Sequence, residues 1–403
     1  MSWYKGTLGE VSEKIQTGPF GSQLHQSDYR DEGVPVIMPK DMLEGRISTL
    51  SIARISKEHV ERLNQHKVKS GDIIYSRRGD VGKCALITNK EEGWLCGTGC
   101  LKVTLNPNKI IPKFAFYQLQ RKESIGWLIN HAVGSTMLNL NTSILTKLPI
   151  EITDLDKQQS IVNVLASYDD LIENNQKQIK LLEEAAQRLY KEWFVNLRFP
   201  GHENGEIVDA IPLGWHEDTI DTKVNLLNGF AFKSKDLEES GLFKLVTIKN
   251  VQDGYFEGKN VKYLSKIPDK MPRHCYLNEG DLLLSLTGNV GRVCIVEGND
   301  FLLNQRVAKI SSETPAYTYC LFRSDELFIK INNIANGAAQ QNVSPIRIGK
   351  IKHLFPNDKL IMDFERVAGP ILKRVVLMKK NIILLEESRD RLLPKLMSGE
   401  IEV

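Results

Sequence analysis

The segment GDIIYSRRGDVGK, Gly71 to Lys83, returns 209 residues later as GDLLLSLTGNVGR, Gly280 to Arg292; six of the thirteen positions are identical and four more exchange Ile for Leu, Asp for Asn or Lys for Arg. A chain that repeats a segment this closely must build the same piece of structure twice. The repetition is not local: Trp3 pairs with Trp215, Lys40 with Lys249 and Gly45 with Gly254, at offsets of 212 and then 209. From Gly134 the offset falls to 203, so that GSTMLNLNTSILTK (134–147) lies on GAAQQNVSPIRIGK and LLEEAAQRLY (181–190) on LLEESRDRLL. A period near 200 residues marks a duplicated domain and not a solenoid unit, and 403 residues exceed what one hydrophobic core usually organises.

Each copy has two textures. Residues 1–153 and 199–358 carry short apolar runs, CALIT, LKVTL, LLLSL and RVCIV, broken by Gly, Asn, Asp and Pro, which predicts strands and turns in a mixed α/β (α+β) domain. Residues 154–198 and 359–403 read as long helices. Ile161, Leu165, Tyr168, Ile172, Asn175, Ile179, Leu182, Ala186, Leu189 and Trp193 follow one another in steps of four and three, the a/d seam of a coiled coil. The same register, moved by 203, gives Phe364, Ala368, Ile371, Val375, Met378, Ile382, Leu385, Arg389, Leu392 and Leu396. A helix from Asp156 to Phe194 is about 58 Å long at 1.5 Å per residue, too long for one small domain to cover, so the economical partner for each helix is the other. The alternative is that each packs on its own globular domain as an ordinary amphipathic helix. Asn175 in the first seam favours one register, and Pro370 predicts that the regular part of the second helix starts beyond it.

Catalytic patterns are missing. There is no Gly-x-x-x-x-Gly-Lys-Ser/Thr loop, no His-Glu-x-x-His, no Gly-x-Ser-x-Gly and no Asn/Asp-Pro-Pro-Tyr/Phe. CGTGC (96–100) holds two of the glycines a cofactor loop needs and lacks a neighbouring His to complete a metal site. The six cysteines form no Cys-x-x-Cys pair and read as reduced and mostly buried. No apolar run reaches membrane-spanning length and the first residues do not resemble a signal peptide, so a cytoplasmic protein without a membrane role is expected. A net charge of +3 leaves nucleic-acid binding open, because only the clustering of basic residues matters.

Two strand-rich domains, each followed by a long seam-bearing helix and related by duplication, resemble the DNA specificity subunit of type I restriction-modification systems. The strings QQSIVNVLASYDDLIENNQKQIKLLEEAAQRLYKEWFV and LLEESRDRLLPKLMSGEI and the two Gly-Asp-strand-Gly-x-x-Gly segments carry the resemblance, which spans essentially the whole chain. It implies a noncatalytic subunit that directs a type I restriction-modification complex to a bipartite double-stranded DNA target, one half-site per target-recognition domain. The two helices, paired antiparallel, would set the gap between the half-sites. It also implies two modification (methyltransferase) subunits as partners, restriction subunits (ATP-dependent translocase and nuclease) that can join, and S-adenosylmethionine on the modification subunits with no cofactor on this chain. The rival reading is a coiled-coil interaction scaffold with peptide-binding globular domains.

Base reading needs Arg and Lys for guanine and Asn and Gln for adenine, with further donors for phosphates. In the first domain the candidates are Gly18, Phe20 and Ser22 in one loop, Lys40 after an apolar strand, Arg77, Arg78 and Lys83 in the repeated segment, and Ser135, Thr136 and Asn139 after Gly134. In the second they are Phe230, Lys233, Lys249, Asn250, Thr287, Asn289, Arg292, Gln305, Arg306, Gln340, Gln341 and Asn342. Where the copies align, glycines and apolar residues persist while polar loop residues change: Arg77-Arg78 stands opposite Leu286-Thr287. Two readers of different sequences require that pattern.

Overall fold

The computed structural model of the chain describes residues 3–134, 136–204, 207–208, 211–335 and 341–403. They form two compact units, Met1–Asp170 with Glu387–Val403, and Leu171–Glu386. Each unit thus joins one strand-rich domain to a stretch of both long helices.

In unit one a central antiparallel sheet has the order Ser12–Thr17, Cys100–Leu105, Ile73–Ser76, Cys84–Leu86. A second sheet runs Leu95–Cys96, Val34–Ile37, Ala53–Ile55, Tyr29–Arg30, with its first two strands parallel. Tyr4–Thr7 pairs with Pro149–Ile152 beside them. Unit two repeats the plan: Asn225–Asn228, Val307–Ser311, Leu282–Ser285, Val293–Ile295 in the central sheet, Lys262–Leu264, Phe243–Val246, Phe301–Leu303, Tyr276–Leu277 in the second, and His216–Thr219 with Lys352–Phe355.

The repeated segment explains itself in this frame. Ile73, Ile74 and Tyr75 are all buried, as are Leu282, Leu283 and Leu284, because the strand is covered on both faces. Ile73 and Tyr75 face a core shared with the helices, and Ile74 faces the second sheet. The glycine before each strand, Gly71 or Gly280, has φ +90°, a conformation that side chains rarely adopt. The following Asp ties the turn: Asp72 accepts from Lys69 N (2.9 Å) and Thr104 Oγ1 (2.7 Å), Asp281 from Asn278 N (2.8 Å) and Lys309 Nζ (2.7 Å).

The first long helix spans Leu155–Tyr190 and the second Asp358–Ser398. None of the seam residues on either helix is exposed. In unit one Ile161 and Leu165 share a core with Leu392 and Leu396. In unit two Trp193 lies against Phe364 (5.6 Å between ring centroids), while Leu182 and Ala186 lie with Ile371 and Val375, so the helices run antiparallel there. Both sequence readings of the seam hold at once, since the same cores include domain residues such as Phe114 and Tyr317. After Tyr190 the chain makes one wider turn, Lys191–Val195, closed by Asn196 N to Lys191 O at 2.8 Å. That extra residue per turn lets Trp193 and Phe194 both reach the aromatic cluster around Phe364.

Pro370 does not delay the second helix, which is regular from Asp358. Pro370 and Arg366 lie on the exposed face, so the carbonyl that loses its intrahelical donor there faces water. All six cysteines are free and buried. No helix among the described residues is long and apolar enough to cross a membrane.

Candidate nucleic-acid interface

The candidate residues converge where the central strands of each unit run out. In unit one Gly18 N donates to Cys100 O (2.9 Å), Arg77 N to Gly99 O (2.9 Å), Leu140 N to Arg77 O (2.8 Å) and Gly79 N to Leu138 O (3.0 Å). Arg78 and Asn139 face each other across an isolated antiparallel bridge. Phe20 and Ser22 stand in the loop beyond Gly18, both exposed, with a turn fixed by Phe20 N on Gln23 Oε1 at 3.0 Å. Lys40 follows a strand whose Ile37 carbonyl receives Gly97 N at 2.9 Å, and its exposed ammonium reaches Ser51 O at 3.2 Å. Lys83 closes the base of the turn, its carbonyl accepting from Ser76 N at 2.8 Å. Thr136 is exposed; Ser135 lies outside the described residues.

Unit two assembles the same rim from different side chains. Phe230 N donates to Leu303 O (2.9 Å), Gln305 N to Phe230 O (3.0 Å), Leu286 N to Arg306 O (3.1 Å), Val343 N to Leu286 O (3.0 Å) and Gly288 N to Gln341 O (2.9 Å). Gln305, Arg306, Asn289, Gln341, Asn342, Lys233 and Lys249 are exposed around it. Phe230 is half-buried, edge-on to Phe232 with centroids 5.1 Å apart. Arg292 sits at the base of the turn, where its guanidinium bonds Gln252 Oε1. Gln340 lies outside the described residues.

Three candidates are corrected by burial. Asn250 is fully buried: its Oδ1 accepts from Thr247 N (2.7 Å) and Thr247 Oγ1 (2.8 Å), and its Nδ2 donates to Glu257 O (2.7 Å) and Asn260 O (3.3 Å). It is a loop tie and cannot reach a base edge. Its counterpart Asp41 plays the same part, accepting from Met38 N at 2.9 Å while burial raises its carboxyl above the ordinary value. Thr287 is 3% exposed and its hydroxyl is engaged by Asn342 Oδ1 at 2.9 Å. Gly18 is buried, and a Cβ there would stand 1.9 Å from Gly97 O; Gly229 repeats this against Asn304 O at 2.1 Å. These two glycines serve close backbone approach.

The sequence reading missed that CGTGC belongs to the rim. Gly97-Thr98-Gly99 crosses beside Arg77 as Asn304-Gln305-Arg306 crosses beside Leu286. The signal was available: Lys102 and Lys309, each beside the Asp of the repeated segment (3.8 Å and 2.7 Å), align the two stretches at an offset of 207. Among the described residues no group of three metal-ligating side chains is found. The arrangement offers donors and cations on strand ends and turns, suited to phosphates and base edges.

Residues 2–184 match the family model described as type I restriction modification DNA specificity domain. Among curated proteins, the type I restriction enzyme MjaIX specificity subunit of Methanocaldococcus jannaschii is 24% identical over 392 residues, covering 93% of this chain and 88% of its own. The HindI specificity subunit of Haemophilus influenzae is 20% identical over 467 aligned positions, covering 99% of each. Among solved structures, the S subunit of the type I restriction-modification system from M. genitalium matches with a TM-score of 0.58 at 18% identity, over 98% of this chain and 96% of that one. Over residues 2–184 the chain is similar to the type I restriction modification DNA specificity domain, and along its whole length it resembles type I specificity subunits.

Proposed function

We propose that this chain is the noncatalytic DNA-reading subunit of a type I restriction-modification complex, and that each rim reads one half of a split duplex target. The observation that supports it is the repetition of one backbone rim with exchanged side chains: the hydrogen-bonded frame recurs, while Arg77-Arg78 gives way to Leu286-Thr287 and Gly99 to Arg306 on it. Two similar domains offer equivalent surfaces to two copies of a modification subunit, and different rims give different half-sites. The paired helices then act as the spacer between half-sites. Adenine methylation belongs to the modification subunits, which hold S-adenosylmethionine, and restriction subunits join the same assembly. The chain itself supplies positioning and sequence choice.

The test is co-expression of the full chain with its candidate modification subunits, followed by mapping of methylated adenines. A bipartite motif with a fixed gap, seen only when this chain is present, is the expected result. Methylation without the chain, or a single contiguous motif, would refute the reading. Replacing Arg77 and Arg78 with alanine should relax one half of the motif and leave the other intact.

A further inference from the structure

At the end of each central sheet three chain segments meet in one backbone rung. In unit one Arg77 is the middle residue, bonded to Gly99 on one side (2.9 Å) and Leu140 on the other (2.8 Å). In unit two Leu286 is the middle residue, bonded to Arg306 (3.1 Å) and Val343 (3.0 Å). The rungs therefore correspond residue by residue: Arg77 with Leu286, Gly99 with Arg306, Leu140 with Val343. Each contains one arginine, but from adjacent segments. Where the middle residue is arginine the flank is glycine; where the flank is arginine the middle is leucine.

Strand alternation fixes which way the middle side chains face. Tyr75 belongs to the core on the helix side of the unit-one sheet, so Arg77, two residues on along the same extended segment, faces that side too, whereas Gly99 lies in the turn before its strand, where a Cβ would meet Pro39 at 3.1 Å. Leu284 places Leu286 in the same way, and Arg306 lies in the turn that leads into its strand. Leu286 is 3% exposed and Arg306 is exposed, while in unit one the half-buried Arg77 is bonded beside Gly99, which carries no side chain. In the next rung, Arg78 with Asn139 and Thr287 with Asn342, the asparagine recurs and the exposed Arg78 is exchanged for the buried Thr287.

We propose that the rung arginine, Arg77 in the first unit and Arg306 in the second, is the residue that sets base preference in its half-site. This rests on the reading of each rim as a reader of duplex DNA. A guanidinium presents paired donors that match the O6 and N7 acceptors of guanine. Its backbone is tied into the rung, on both sides at Arg77 and on one side at Arg306, which holds it more rigidly than an untied loop residue. Moving it to the neighbouring segment displaces it by about 4.8 Å within an otherwise equal frame. That is comparable with the roughly 3.4 Å rise between bases, so the two units place their guanine contact at different positions in the half-site.

The experiment uses the full chain assembled with its modification subunits and a library of random duplexes, with bound and methylated sequences read out. In Arg306→Ala one position of one half-site should lose at least about tenfold in discrimination, with the other half-site unchanged. Arg306→Lys keeps the charge without the paired donors, so it should hold overall affinity and still lose that preference. The pair Arg77→Leu with Gly99→Arg, which copies the second unit's arrangement, should change the first half-site alone, with a thermal melt confirming that the chain folds. A uniform fall in affinity with unaltered preference would make the arginine a phosphate contact and overturn the proposal. So would wild-type preference in all three variants while the parent complex keeps its split motif; a parent complex with no sequence preference would overturn the proposed function as well.

Discussion

Arg389→Ala removes the cation from a polar seam position in unit one, where the guanidinium donates to Asp169 Oδ1 at 2.8 Å and Tyr117 donates its hydroxyl to the other carboxylate oxygen. The side chains of Arg389 and Asp169 are 28% and 20% exposed, so the loss falls below the 3–5 kcal/mol typical of a fully buried pair; about 2 kcal/mol is expected. Unit two supplies the comparison, because the residues aligned with Tyr117, Asp169 and Arg389 at the 203 offset are Cys320, Leu372 and Ala186, which line one apolar gap between helices and domain. Copying that solution, Asp169→Leu with Arg389→Ala, removes both charges together and should cost no more than about 1 kcal/mol beyond the roughly 1 kcal/mol for the Tyr117 hydroxyl that loses its acceptor. The two single variants and the double variant form a cycle whose coupling energy should be about 2 kcal/mol. Urea unfolding of the full-length chain, followed by circular dichroism and tryptophan fluorescence, measures each corner. Single costs that simply add in the double variant would show that the pair is not coupled and that this part of the seam is held by apolar contact alone.

Other consequences can be checked on the same full-length protein. Asn250→Ala leaves the buried Thr247 amide and Glu257 carbonyl without partners and should cost about 2–4 kcal/mol, seen as a lower melting temperature. Gly18→Ala forces a methyl to within 1.9 Å of Gly97 O and should cost about 1–3 kcal/mol, whereas Gly21→Ala, with nothing within 4 Å, should be close to neutral. Glu326 is held down to about 2 by His353, whose Nδ1 stands 3.4 Å from its carboxylate, against desolvation, and by Lys330. Its contribution is therefore complete above the ordinary carboxylate value and is lost as pH falls from about 4.5 towards 2; with half its side chain exposed it amounts to roughly 1 kcal/mol, and Glu326→Gln should flatten that part of an acid titration of stability.

The duplication and the seam were legible because both are periodic signals: a repeated segment must repeat its backbone, and a step of three and four admits one helical face. The exposure of individual polar residues was not. Lys249 and Asn250 are neighbours of similar polarity, yet one is exposed and the other has its amide bonded inside a loop, a difference set by a three-residue turn. Thr287 and Arg78 occupy equivalent places, but the threonine is short enough to be covered by Asn342. The parallel pairing of Leu95–Cys96 with Val34–Ile37 joins residues about sixty apart and leaves no trace in local alternation. Pro370 misled because its effect depends on which side of the helix meets water.

The short pairing of Tyr4–Thr7 with Pro149–Ile152, repeated by His216–Thr219 with Lys352–Phe355, brings the entry and exit of each strand-rich domain side by side. A segment whose two ends leave together behaves as a cassette: anything with the same paired ends can replace what lies between them without rerouting the chain. Exchange of the segment between those two pairings would replace a whole strand-rich domain at once, with the helix that follows left as it was.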